Sequence, residues 1–310
     1  MNNIGAWNGS DFVALNNNIK VGVDDTVRAL SYDSGSNVLY LGGDFSDNSS
    51  LPMNYVASYY DGAIQLFDKN DDAYKIVNAP VHALSTDGGS KVYMGGDFYP
   101  YIIRADLDQE NPFERSNISL GYIWGSVFSI DNINSTQLYA GGAFGYGNYE
   151  LEKVGYFDGA SWSIPEPSDK SYLPWYQPNG TVFSILRSGN MILLGGEFSK
   201  VSEIQETLPN TAGFDMILLD RNSNDSGHWL ANVGAASTEG VPAVYAMLPD
   251  SIGRVYIAGH FDSIDNGISA KNLAVYDSVH NSFVGVSNSP FANGAVRAMT
   301  MGSVVNVTDL

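Results

Sequence analysis

Residues Val38-Leu39-Tyr40-Leu41-Gly42-Gly43-Asp44-Phe45 decide the fold, because the same phrase returns along the chain. It recurs as Val92-Tyr93-Met94-Gly95-Gly96-Asp97-Phe98, as Leu138-Tyr139-Ala140-Gly141-Gly142-Ala143-Phe144, as Ile192-Leu193-Leu194-Gly195-Gly196-Glu197-Phe198 and as Val255-Tyr256-Ile257-Ala258-Gly259-His260-Phe261. Each copy is a short apolar run rich in β-branched and aromatic residues, followed by two small residues, one variable residue and a Phe. Such runs read as strands. Their regular return marks a repeat architecture. We name this element strand B.

Upstream of each copy lies a four-residue alternation, strand A: Val27-Arg28-Ala29-Leu30, Val81-His82-Ala83-Leu84, Val127-Phe128-Ser129-Ile130, Val182-Phe183-Ser184-Ile185 and Val244-Tyr245-Ala246-Met247. A sixth copy, Val296-Arg297-Ala298-Met299, stands near the C-terminus. The first valines are spaced by 54, 46, 55, 62 and 52 residues. A period near fifty is that of a kelch-type propeller blade and exceeds that of leucine-rich or ankyrin units. Linkers such as Asp33-Ser34-Gly35-Ser36-Asn37 and Asp87-Gly88-Gly89-Ser90 carry hairpin turn chemistry. Strand C follows at Val56–Tyr59, Val154–Phe157 and Leu273–Tyr276, and strand D at 160–164. Four short strands in series make one blade.

The ends predict how the ring closes. Residues 4–13 match 154–163 in pattern, so the chain begins with C and D and ends with A. The expected fold is therefore all-β: a six-bladed kelch-like β-propeller, closed by the N-terminal outer strands pairing with the C-terminal inner strand. It forms one domain over residues 1–310. The segment Ser303–Val307 stands where the last strand B belongs but lacks Gly-Gly-x-Phe, so the sixth blade is either degenerate or cut short.

Composition narrows the function. Thirty-four acidic against 15 basic residues give a formal charge of −19, a field that repels phosphate backbones and anionic lipid. Nucleic acid and direct membrane contact are poor partners for it. No cysteine is present, so any secreted form must stand without disulfides. Seven Asn-x-Ser/Thr acceptors occur, at Asn8, Asn48, Asn117, Asn134, Asn179, Asn224 and Asn306, and lean towards a secretory route. The N-terminus lacks a basic segment followed by an apolar one. The expectation is a domain cut from a longer chain.

Candidate site residues are few. The glycine pair has a packing explanation: close approach of a neighbouring backbone, or a bulge. The Phe would then fill the wedge between blades. The variable residue is Asp44, Asp97, Ala143, Glu197 or His260. These could converge on one end of a central channel to take a cation or basic partner, or could be solvated or backbone-capping turn residues. The Ser-x-Asp-x-Gly runs at 31–35 and 85–89 resemble part of the sialidase Asp-box, although an Asp-Gly hairpin turn explains them better. Segments 68–72 and 220–224 alternate oxygen ligands but lack the Gly and Glu of an EF-hand loop. With no thiol, no G-x-S-x-G elbow and no H-x-x-x-H spacing, neither catalysis nor a cofactor is expected. Carboxylates brought together by the fold for glycoside hydrolysis stay open as an alternative. The loop aromatics Trp175, Tyr176 and Trp229 would serve a carbohydrate ligand.

The units at 27–30, 39–45 and 54–62 resemble the repeats of the fungal cortical polarity marker of the Rax type. They are also similar to kelch repeats and to bacterial surface-protein repeats carrying Gly-Gly-x-Phe. The Rax resemblance implies a glycosylated, single-pass membrane protein with its propellers outside the plasma membrane. Such markers position bud sites through partner membrane proteins and have no catalytic residues to carry over. The functional expectation is a non-enzymatic cell-surface interaction module that meets protein partners or cell-wall glycan. Its alternative is a carbohydrate-binding or carbohydrate-active propeller.

Overall fold

The structure, a computed structural model, describes residues 3–8, 10–15, 22–46, 53–67, 77–89, 91–107, 115–121, 123–145, 153–163, 178, 180–188, 191–198, 214–220, 229–234, 241–264, 268–277, 280, 282–285 and 294–299. Every regular element among them is a strand, as the all-β expectation requires. Two compact units divide the chain, Met1–Pro165 and Glu166–Leu310.

The first unit opens with a hairpin, β1 (Gly5–Trp7) and β2 (Phe12–Ala14), in the register Gly5↔Ala14 to Trp7↔Phe12. This is the C–D pair expected at the N-terminus. Three four-stranded antiparallel sheets follow in chain order. The first is β3 (Val27–Asp33), β4 (Val38–Gly43), β5 (Val56–Tyr60) and β6 (Ala63–Leu66). The second is β7 (Val81–Thr86), β8 (Lys91–Gly96), β9 (Ile102–Leu107) and β10 (Arg115–Ser119). The third is β11 (Trp124–Asn132), β12 (Leu138–Gly145), β13 (Val154–Phe157) and β14 (Trp162–Ser163). Each has the strand number and order of a propeller blade.

Sheets stack face to face, with the inner strands β3, β7 and β11 side by side. The seam between the first two sheets buries Val38, Tyr40, Val56 and Phe67 of one against Val81, Met94, Phe98 and Ile103 of the next. Phe144 repeats the part of Phe98 one seam later, among Tyr93, Ile102 and Phe157. The Phe of the repeat thus fills the wedge expected of it. Polar latches hold the far ends of the inner strands: Thr86 Oγ1 donates to the Tyr32 carbonyl, and the Ser85 hydroxyl donates to Asn132 Oδ1.

In the second unit β15 (Thr181–Ser188), β16 (Met191–Phe198), β17 (Phe214–Asp220) and β18 (Trp229–Gly234) form one sheet. The next contains β19 (Ala243–Pro249) and β20 (Arg254–His260), then a small inserted hairpin of β21 (Ser263–Ile264) and β22 (Ile268–Ser269). Strands β23 (Leu273–Asp277) and β24 (Ser282–Gly285) complete it. Phe261 lies in its core with Leu193 of the preceding sheet. The sixth strand-A copy departs from expectation. Residues 294–299 are not assigned as a strand, although the Val296 amide donates to the Gly259 carbonyl at 2.9 Å. The expected strand B at 303–307 falls outside the described residues.

The two glycines of each pair have separate reasons. In all five copies strand A carries a β-bulge at its second residue: Arg28, His82, Phe128, Phe183 and Tyr245. Beside the bulge, the carbonyl of the residue before the strand-A valine lies over strand B. There it accepts the amide of Asp44 (from Thr26) and of Asp97 (from Pro80), each at 2.9 Å. A Cβ on the second glycine would collide with that carbonyl at Gly43, Gly96, Gly142, Gly196 and Gly259 alike. The first glycine answers to the next sheet. A Cβ at Gly42, Gly95 or Gly195 would come within 2.5–2.6 Å of Val81, Val127 or Val244 Cγ1. Bulge and close approach therefore both apply, one per glycine.

The Asp-Gly linkers behave as hairpin turns. Asp33 Oδ1 accepts the amides of Gly35 and Ser36, and Asp87 Oδ1 those of Gly89 and Lys91.

Candidate functional site: the strand-B end of the sheets

The bulge turns the second residue of strand A towards the variable residue that follows Gly-Gly. In the first unit the two meet, as an ion pair in one repeat and as an imidazole–carboxylate contact in the next. Arg28 Nε and Nη2 donate to Asp44 Oδ1 and Oδ2 at 2.7 and 2.6 Å, a bidentate fork. His82 Nε2 lies 2.9 Å from Asp97 Oδ2, off the line of a well-directed hydrogen bond. The Asp44 hydrogen bond, partly offset by burial and aided by the charges of Asp44, Asp97 and Asp25, raises the Arg28 guanidinium above its ordinary range. Burial pushes the Asp97 carboxyl up. A hydrogen bond from Ser126 and the close imidazole of His82, with the charge of Arg28, outweigh it and hold Asp97 below its ordinary value. Asp97 is therefore held in its ionised form against the hydroxyl of Ser126 and the ring of His82.

Successive bulge residues stack. His82 and Phe128 sit 4.8 Å apart between ring centroids. In the second unit Phe183 and Tyr245 are 5.3 Å apart, and the Arg297 guanidinium lies 4.6 Å over the Tyr245 ring, a cation–π contact. The bulge positions of the first unit thus include an arginine and a histidine set against carboxylates, and those of the second carry aromatic rings.

The predicted residues fall out as follows. Asp44 is paired with Arg28, and Asp97 lies against His82 and Ser126. Glu197 is exposed opposite Thr181, and His260 is half-buried opposite Ala243. Among the described residues no three His, Cys, Asp or Glu side chains are grouped to hold a metal ion. Trp229 opens strand β18 instead of lying in a loop. Trp175, Tyr176 and the oxygen-rich segment 68–72 lie outside the described residues, as does 221–224. Asn8 and Asn134 are exposed in Asx turns, where Ser10 Oγ and Thr136 Oγ1 donate to the asparagine Oδ1. Asn117 lies in β10, and Asn48, Asn179, Asn224 and Asn306 fall outside the described residues.

Sequence reading missed a cluster beside Asp97. Tyr99 and Trp124 are 54% and 57% exposed, with ring centroids 6.4 Å apart, and Tyr101 lies 6.3 Å from Tyr99. Loop 97–101 follows strand B of one sheet, and Trp124 opens strand A of the next. Only the stacking of the sheets brings them together.

No family model matches the chain, and no curated protein matches it. Solved structures do. The chain is similar to the extracellular domain of a hybrid two component system from B. thetaiotaomicron, with TM-score 0.50, 14% identity, and coverage of 88% of this chain and 29% of that one. It is also similar to PorZ, a bacterial surface component of the type-IX secretion system of Porphyromonas gingivalis, with TM-score 0.52, 13% identity, and coverage of 87% and 35%. The chain therefore spans about a third of these structures, and at such identities the likeness is one of fold.

Proposed function

We propose that the chain is a six-bladed propeller serving as a non-enzymatic interaction module on the outer side of a cell. One observation carries this reading: each repeat keeps its bulge, its second glycine and its Phe, while the residue between them and the loops beyond it vary. A constant frame with a variable end suits recognition of a partner.

The ring is supported from both ends. The N-terminal hairpin packs Ile4, Ala6 and Leu15 on the face of the first sheet formed by Leu41, Phe45 and Ala57. That face corresponds to Met94, Phe98 and Ile103 of the second sheet, which the first sheet covers. The hairpin thus occupies the place of the outer strands of a preceding blade. Residues 296–299 would supply the inner strand of the same blade.

A surface location is favoured by the exposed acceptors Asn8 and Asn134. It is favoured also by the resemblance to Rax-type repeats, which extends the reading to a cortical polarity marker acting through membrane-protein partners. The matched structures, an extracellular domain and a surface component by their descriptions, point the same way. The test is turnover. The purified protein, offered a broad panel of glycosides and esters, is expected to release no product. Hydrolysis abolished by Asp44→Asn or Asp97→Asn would overturn the reading in favour of a carbohydrate-active propeller. A carbohydrate-binding role is the second reading, favoured by the Tyr99–Trp124 pair.

A further inference from the structure

Loop 97–101 alternates outward and inward. Phe98 and Pro100 are buried, while Asp97 and Tyr99 face solvent. The loop closes on itself, with the Gly96 amide donating to the Tyr101 carbonyl and the Tyr101 amide to that of Phe98. The facing strand alternates likewise: Ile123 is buried, Trp124 exposed, and Ser126 lies two residues on. Two contacts cross the seam in parallel, Tyr99 to Trp124 and Asp97 to Ser126. The aromatic pair and the acid–hydroxyl pair are thus about 7 Å apart along the strand, two residues at ~3.3 Å each.

We propose that this seam is a subsite for one neutral hexopyranose of a glycan, its ring against Trp124 and Tyr99 and its hydroxyls donating to Asp97. The spacing matches the span of one sugar ring. Rigidly rooted, solvent-facing rings offer an apolar plate for the C–H face of the sugar. The acid decides the ligand's charge. The nearby Arg28 charge already acts on Asp97, so a cationic ligand gains less, whereas the exposed carboxylate keeps lone pairs for hydroxyl donors. The formal charge of −19 disfavours acidic glycans. This inference rests on the reading of the chain as a binding module and names the class of its ligand.

The test is titration of the whole chain with cellohexaose, laminarihexaose and chitohexaose, followed by tryptophan fluorescence and calorimetry. Saturable binding of at least one is expected, weakened tenfold or more by Trp124→Ala and by Tyr99→Ala. Asp97→Asn should weaken it severalfold, and Trp124→Phe should retain most of it. Both aromatic side chains are exposed, so melting temperatures should hold, and Tyr99→Ala decides the matter if Trp124→Ala does not fold. No saturable binding by any of the three sugars would overturn the proposal. So would sugar binding indifferent to both aromatic changes, or binding of a Lys/Arg-rich peptide where the sugars fail. Cleavage of a bound hexaose would leave the subsite standing and sink the non-enzymatic reading instead.

Discussion

Two seams of the first unit are built on the same plan and completed to different degrees. Between the first and second sheets, all layers meet: Val81 is fully buried, Ala83 is 6% exposed and Leu84 packs on the core. On the opposite face of the first sheet the N-terminal hairpin covers the outer part, but the inner strand lies open. There Leu30 and Tyr32 are 54% and 57% exposed, and the hairpin's own Phe12 and Val13 are 65% and 40% exposed. Leu30 and Leu84 hold the same place in the repeat, so sequence does not explain their difference. What differs is the neighbour: an inner strand is buried by the sheet before it, and among the described residues β3 meets a two-stranded hairpin on that side.

The largest expected effect is shared by both seams because its cause is local. Gly43→Val and Gly96→Val each drive a side chain into the carbonyl that precedes strand A, at Thr26 and Pro80. Each should destabilise by at least ~3 kcal/mol, lowering the melting temperature by roughly 5 °C or more. An unchanged melting curve for either would remove the bulge account. The next effect tests the comparison itself. Leu84→Asp buries a carboxylate in a finished seam and should cost about 2 kcal/mol or more. Leu30→Asp should cost nearly as much if the sixth blade completes the open seam. Denaturant unfolding that finds Leu30→Asp within ~0.5 kcal/mol of the parent would show the seam to be open in solution.

A smaller effect concerns pH. A carboxyl held below its ordinary value stabilises the fold only when ionised. That contribution is present above 3.8, the ordinary value, and is lost as pH falls through the lower folded one. Asp97→Asn should therefore cost up to ~1 kcal/mol at neutral pH, a modest figure because the side chain is 40% exposed. The difference from the parent should shrink below the ordinary carboxylate value in melts across pH 2–7. A difference constant with pH would show that the pair contributes nothing through its charge. Smallest of all, Gly89→Ala meets nothing within 4 Å and should move stability by no more than ~0.5 kcal/mol.

Strand identity was legible because it rests on local signals. The run ending at Gly42-Gly43, the alternation at Val27–Leu30 and the Asp33 and Asp87 turns each specify their conformation within a few residues. The N-terminal hairpin was legible by internal comparison with 154–163. The bulge left a trace only in hindsight: the second residue of strand A is always large and otherwise unlike, as Arg28, His82 and Phe128 show. Its partner, the residue after Gly-Gly, looked like a lone acid in sequence because the ion pair joins positions 16 residues apart across two strands. Tyr99 and Trp124 were illegible for a stronger reason. They belong to different repeats, and no pattern within one repeat announces a contact made by stacking the next.

Ring closure is the claim from which the six blades and the finished seam both follow. It is tested most directly by a distance across the two ends. The chain has no native cysteine, so Asn8→Cys and Met299→Cys can carry a unique pair of spin labels. If residues 296–299 and the N-terminal hairpin share one blade, two strand spacings of ~4.8 Å plus the label arms predict a narrow distribution centred below about 25 Å. A broad distribution, or one centred near about 40 Å, most of the diameter of a folded domain of this size, would contradict the ring.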